Sequence, residues 1–316
     1  MIVRRSVLAL AAAVVMTACG GSNTPTTTTS GGPGKVDSIA SEVPSDIKSK
    51  GALQVGVDAT YPPNESINPE TGAIGGWDID LGNALGAVMG IRFNFNNADF
   101  SSIIPDIGSR YDIGISSFSP TTEREKTVDF ITYYKAGEEW YVKAGGTQIS
   151  DPSAMCGQTV TVETGTTEEA DAYGYMGKNP DGSNIKGDTN NCKAAGKADI
   201  TVHSFTKQTD SFADLQSGHA TIGWADQPVA DYYVKLSSGQ LQVTGKPCSI
   251  APYGMALPKN SPLEKALQDA LKYLIDNGYY ATILKKYSVE SGAIASSDVA
   301  LNVNSLPNQP SCVPSY

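Results

Sequence analysis

The stretch Tyr111-Asp112-Ile113-Gly114-Ile115-Ser116, followed by Ser117-Phe118-Ser119-Pro120-Thr121-Thr122-Glu123-Arg124, decides the fold. Its first six residues carry the apolar, β-branched pattern of a short buried strand, and its polar end delivers an arginine. Working back toward the N-terminus, Phe100 to Ile107 reads as a short helix and Ile91 to Phe95 as a strand. Trp77 to Met89 reads as a helix with Leu81, Leu85, Val88 and Met89 on one stripe, ended by Gly90, and Ala52 to Val57 reads as a strand. This β-α-β-α-β order implies an α/β fold with a parallel sheet covered on both faces.

Working forward, a second unit of the same kind begins near Tyr141. Thr159 to Thr164 is a strand rich in β-branched residues, and Gly165 turns it into a helix running from Thr167 toward Tyr175. Asp210 to Ser217 reads as a helix, Ala220 to Trp224 as a strand and Pro228 to Leu236 as another helix. Met255 to Leu257 looks like a return strand, followed by amphipathic helices over Ser261 to Asn277 and Tyr279 to Tyr287. The polar, Gly-rich run Asn179 to Ala198 reads as an inserted loop pinned by Cys192. The expected lobes are therefore 36–138 with 252–316, and 139–251. They are joined by two crossings, near Gly137 to Tyr141 and near Cys248 to Gly254. Ligands of open α/β sheets collect at the carboxyl ends of the strands, so two such ends facing each other make a cleft.

Within that cleft, Arg124 and Gly165-Thr166-Thr167 are the decisive pair. A guanidinium is a planar fork that suits a carboxylate and stays charged when enclosed. A strand-to-helix turn offers free N–H groups and the positive end of a helix dipole. One carboxylate gripped by both has to sit between two lobes. No catalytic triad, phosphate loop or metal spacing competes with this reading, and no cofactor is implied.

The ends of the chain say where it works. Arg4 and Arg5 precede an apolar run from Val7 to Val15, the pattern of a secretory signal over residues 1–18. Met16-Thr17-Ala18-Cys19-Gly20 resembles a bacterial lipobox, which implies a lipidated Cys19 at the cell membrane. Residues 19–35 read as a flexible tether, uncharged over 20–34. Loss of Arg4 and Arg5 takes the formal net charge from −10 to −12, which argues against nucleic acid and anionic membrane surfaces as partners. Cys156, Cys192, Cys248 and Cys312 remain, an even set that in an exported chain reads as two disulfides. Three pairings are open, and the pairing of sequence neighbours, Cys156 with Cys192 and Cys248 with Cys312, is favoured.

In order and spacing the chain resembles the extracellular solute-binding proteins of family 3, the amino-acid receptors of ABC importers. The segments that carry the likeness are Val55-Gly56-Val57-Asp58, Tyr61-Pro62-Pro63, Gly76-Trp77-Asp78-Ile79-Asp80-Leu81 and Phe100-Ser101-Ser102-Ile103-Ile104-Pro105. The run ending at Arg124, Val128-Asp129-Phe130, Val162 to Thr167, Trp224-Ala225-Asp226-Gln227-Pro228 and Asn277-Gly278-Tyr279 complete it. The resemblance implies a two-lobed periplasmic-binding-protein fold of type II that closes on its ligand by hinge motion. It implies that Arg124 takes an α-carboxylate, that Ser117 and Ser119 bind the amino or carboxylate group, and that Thr166 and Thr167 give N–H donors. Asp226 would pair with the ammonium, and Tyr61 and Phe100 would form aromatic walls. The implied partners are an amino acid and a membrane permease, for a monomer with no enzymatic activity.

Fewer residues bear on which amino acid is bound. Asp58 matches a position that contacts polar or cationic side chains, and Glu163 stands beside the carboxylate clamp. Glu65 follows the Tyr61 loop, where Asn64 replaces the usual Phe. Acids at one end of the cleft favour lysine, arginine, ornithine or histidine, then glutamine, with acidic amino acids third. A sensor subunit without transport and an enzyme on the same fold are the competing classes.

Overall fold

The computed structural model describes residues 31–307 and 309–313. The expected signal peptide, Cys19 and most of the tether lie outside them. Among the described residues no helix is long and apolar enough to cross a membrane.

The two halves are built alike because the sequence repeats one pattern, a short β-branched strand followed by an amphipathic helix. In the first, Ala52–Val57 lies between Arg92–Asn97 and Ile113–Phe118, all parallel. The helix Trp77–Met89 covers them with Trp77, Leu81, Leu85, Val88 and Met89 buried. Gly90 ends it with φ 68° and returns its N–H to the carbonyls of Gly86 and Ala87. In the second half, Thr159–Glu163 lies between Thr201–Phe205 and Ile222–Asp226, again parallel.

Between the halves the pairing changes to antiparallel. The chain crosses along one continuous strand, Val128–Lys143, and returns along another, Leu241–Pro258. These pair antiparallel from Val128 opposite Pro258 to Lys143 opposite Leu241, and they join both halves into one mixed eight-stranded sheet. Opposed directions follow from the topology, since one strand leaves the first lobe and the other re-enters it. Their ladder is interrupted between Thr244 and Cys248, between Cys248 and Ala251, and between Tyr253 and Gly254. Tyr134, Ala136 and Tyr253 belong to the first lobe's core, whereas Trp140, Val142 and Cys248 belong to the second's. The irregular ladder therefore falls where the core changes owner, the place where a sheet bends at least cost.

Both disulfides join sequence neighbours, Cys156 with Cys192 and Cys248 with Cys312. The first pins the polar insertion, which Lys178 and Lys193 also tie to Asp199. The second corrects the lobe boundary. The tail starts on the first lobe, where Asn302 accepts a hydrogen bond from the Phe130 N–H at 2.8 Å and donates one to Asp129 at 2.8 Å. It then runs to Pro310, whose carbonyl accepts from the Ser249 N–H at 2.7 Å. Cys312 and Val313 end in the second lobe's core, so 252–316 does not stay with the first lobe. The apolar content of that short end was too small to show which core it joins. Cys248–Cys312 closes a separation of 64 residues. Replacing both cysteines by serine is expected to lower unfolding free energy by up to about 4 kcal/mol, checked by urea denaturation.

Candidate ligand-binding site

The carboxyl ends of the parallel strands of the two halves face one another, and the loops leaving them line a pocket. Nine of the ten expected ligand residues line it: Tyr61, Phe100, Ser117, Ser119, Arg124, Glu163, Thr166, Thr167 and Asp226. Ser116 and Glu168 complete the wall. The free space these residues leave is small, a cavity of about 10 Å³, so the two walls lie nearly against each other.

Arg124 opens a short 3₁₀ turn at the edge of the first lobe. Its guanidinium donates to the carbonyl of Ser119 at 2.8 Å and, across the seam, to that of Gly165 at 2.8 Å. It lies over the Phe100 ring at 5.3 Å, and Phe100 stacks on Phe118 at 4.9 Å. Burial pulls its pKa down to about 10, while Glu168 and Asp226 pull the other way, so it stays charged at neutral pH. Opposite stands the turn into helix Thr167–Gly174. Gly165 adopts φ +85°, and a Cβ there would lie 2.9 Å from the Cβ of Ser101 in the first lobe. Glycine is required both for the turn and for the approach of the lobes. Thr166 caps the helix by accepting from the Glu169 N–H at 3.2 Å, and Glu169 accepts from the Gly165 N–H at 2.7 Å.

Tyr61 crosses the seam. Its ring packs in a cluster of second-lobe residues that includes Tyr141, Leu215, Val229 and Tyr233. Its hydroxyl donates to Asp226 at 3.0 Å and accepts from the Asp226 N–H at 3.1 Å. Asp226 ends the strand Ile222–Asp226 and starts the helix Gln227–Leu236. Burial, then the charge of Glu168, raises its carboxyl well above the usual range. Glu163 accepts from the Gln208 N–H at 3.1 Å and from Thr60, across the seam, at 3.5 Å. Burial raises it strongly, and Asp58, hydrogen-bonded to it, raises it further.

Three of the residues singled out in the sequence have partners within the protein. Asp58 is buried but does not line the pocket. Its two oxygens accept from the N–H groups of Thr60 at 3.0 Å and Phe100 at 2.8 Å, which fixes the Tyr61 loop and the start of helix Phe100–Asp106. Ser117 lines the pocket, yet its hydroxyl accepts from Asn64 at 2.8 Å and donates to Asp78 at 3.4 Å. Glu65 is buried behind the wall, where it accepts from Ser116 at 2.6 Å. Asn64, which replaces the usual Phe, also accepts from the Trp77 indole at 2.6 Å, so it organises the floor of the first lobe. Glu168 was missed because two acids in a first helical turn look like ordinary dipole partners. The period that brings it to the cleft depends on how the helix is docked.

A cleft between two hinged lobes, armed with a guanidinium and a helix start, defines a binding protein for a small anionic or zwitterionic solute. Residues 53–290 match the profile of the bacterial extracellular solute-binding proteins, family 3, and the chain belongs to that family. The arginine-binding protein ArgT of Corynebacterium glutamicum is 32% identical over 263 residues, 83% of this chain and 82% of its own. A solved ancestral arginine-binding protein bound to arginine is 32% identical with a TM-score of 0.65, covering 75% of this chain and 98% of that one. The ancestral amino acid-binding protein AncCDT-1, a precursor of cyclohexadienyl dehydratase, is 28% identical with a TM-score of 0.63 over 77% and 97% of the two chains.

Tyr61→Phe keeps the ring's packing and removes both hydrogen bonds to Asp226. The loss, ~0.5–1.5 kcal/mol for each ordinary hydrogen bond, is expected to shift the ligand-free protein toward an open state. Small-angle scattering would show it as a larger radius of gyration than that of the wild type.

Proposed function

We propose that this protein is the substrate-binding component of an ABC importer, and that its cleft takes a cationic L-amino acid, arginine foremost. One observation carries the reading: three carboxyl groups, Glu163, Glu168 and Asp226, line the pocket against the single guanidinium of Arg124. A zwitterion adds one charge of each sign and leaves that excess standing. An amino acid with a positive side chain reduces it, and a buried carboxylate is costly until it is paired. The relatives named for arginine binding support the same choice.

In this reading Arg124 and the N–H groups at the start of helix Thr167–Gly174 hold the α-carboxylate. Asp226 takes the α-ammonium, and Glu163, with Asp58 behind it, takes the side-chain cation. Tyr61 and Phe100 cover the ligand's aliphatic part. Charged hydrogen bonds of ~1.5–3 kcal/mol each make the arginine anchor a large share of the about −8 kcal/mol of a micromolar complex. Glutamine is the second choice, since its amide can donate to Glu163 without neutralising it. Membrane attachment through a lipidated Cys19 and delivery to a permease complete the proposal. The likeness to a dehydratase precursor keeps an enzyme as the competing class, which a turnover assay on the bound ligand decides.

A thermal-shift screen against the twenty amino acids and ornithine tests the reading, because a ligand raises stability with concentration. Arginine, lysine or ornithine is expected to give the largest shift; a response to acidic amino acids alone would refute it. Arg124→Ala is expected to reduce binding by more than a hundredfold, with circular dichroism unchanged. Glu163→Gln should weaken arginine at least tenfold more than glutamine, measured by titration calorimetry.

A further inference from the structure

Glu168 is the second residue of helix Thr167–Gly174 and is only 2% exposed. An acid at this position usually faces water, where the helix dipole stabilises it. The capping work is done by its neighbours, Thr166 and Glu169. Glu168 instead lines the pocket. One of its oxygens accepts weakly from the Thr167 hydroxyl at 3.4 Å, and the other, Oε1, has no hydrogen-bond partner among the described residues. No ordinary folding role calls for that arrangement, and an unpaired buried oxygen is costly.

The surroundings add more acid than base. Glu138 stands directly opposite Asp226 in the ladder between Val128–Lys143 and Ile222–Asp226, and it too is buried with an unpartnered oxygen, Oε2. Like charges placed opposite each other in a sheet repel. The charge of Glu168 acts on Asp226, Glu163, Glu138 and Asp171, on the hydroxyls of Tyr61 and Tyr141, and on Arg124. Arg124 is the one cation in that set, and two carbonyls already engage it.

We infer that Glu168 is a specificity-determining residue which, together with Asp226, forms a two-carboxylate subsite for the ligand's α-ammonium group. The assignment rests on the amino-acid reading above. Its geometry follows from the ligand's own chemistry. The α-carboxylate and α-ammonium hang on one carbon, so a side chain in the same helical turn as the carboxylate donors, beside Asp226, flanks the ammonium. Glu163 lies elsewhere, with Thr60 and Gln208, and meets the side chain.

The subsite also couples binding to protons. Burial raises the carboxyls of Glu168, Asp226 and Glu138, and lifts Asp171 to about 7. The empty cleft therefore retains protons that an arriving ammonium displaces. Because the unliganded carboxyls are the raised ones, affinity grows as pH rises through the neutral range and falls as pH drops below it.

Titration calorimetry on wild type, Glu168→Gln and Glu163→Gln, in two buffers of different ionisation heat, tests this. Glu168→Gln is expected to weaken L-arginine and L-glutamine by the same factor, tenfold or more, and to lower the number of protons released. Glu163→Gln should fall mainly on arginine. Glu168→Asp keeps the carboxylate, so it should retain the proton release with a loss below about threefold. Glu168→Gln affinities within twofold of wild type, or proton release unchanged in that variant, would overturn the inference. Wild-type protein that binds neither amino acid would overturn the amino-acid reading itself, and the first titration tells the two failures apart.

Discussion

A guanidinium reaching across a seam lined with carboxyl groups is the interaction on which the rest of this structure turns. Arg124 touches a carbonyl of its own lobe and one of the other, and it is the positive charge that Glu168 and Asp226 face. Burying these acids around one cation is expensive in isolation. On the function proposed above, the expense is tolerable because a cationic ligand supplies the missing positive charge and protons hold its place until then. The same excess that would destabilise a permanent core thus acts as a selective filter.

Closure of the lobes uses contacts drawn from both sides of that filter. Tyr61 lodges its ring in the second lobe and holds Asp226, Thr60 meets Glu163 and Gln208, and Gly165 lets the second lobe approach Ser101. Each contact ends on or beside a residue assigned to the ligand, so opening the cleft and exposing the acids are one event. The two long strands supply the bend, and their ladder breaks where the core passes from one lobe to the other. The tail, fastened by Cys248–Cys312, adds a third covalent path beside that bend.

Much of this was legible in the residues. Periodicity located the helices Trp77–Met89 and Tyr279–Tyr287 because their apolar stripes are long and end at glycine or a polar residue. The strand-turn-helix grammar around Gly165 placed the helix start, since a positive φ and a threonine cap are local requirements. The long strands were harder. Val128–Lys143 is buried along nearly its whole length and has no alternation to declare it a strand.

What the sequence determined by itself was therefore local: the alternating strands and helices, an even set of cysteines fit for two disulfides, and the residues Arg124, Thr166, Thr167 and Asp226 that gather at one cleft. Tertiary structure alone decided which carboxyls line the cleft. It turned Asp58 and Glu65 toward backbone and serine donors, brought Glu168 in, and carried Cys312 to the second lobe. A side chain's burial and partners depend on how distant elements dock, and no local pattern encodes that docking.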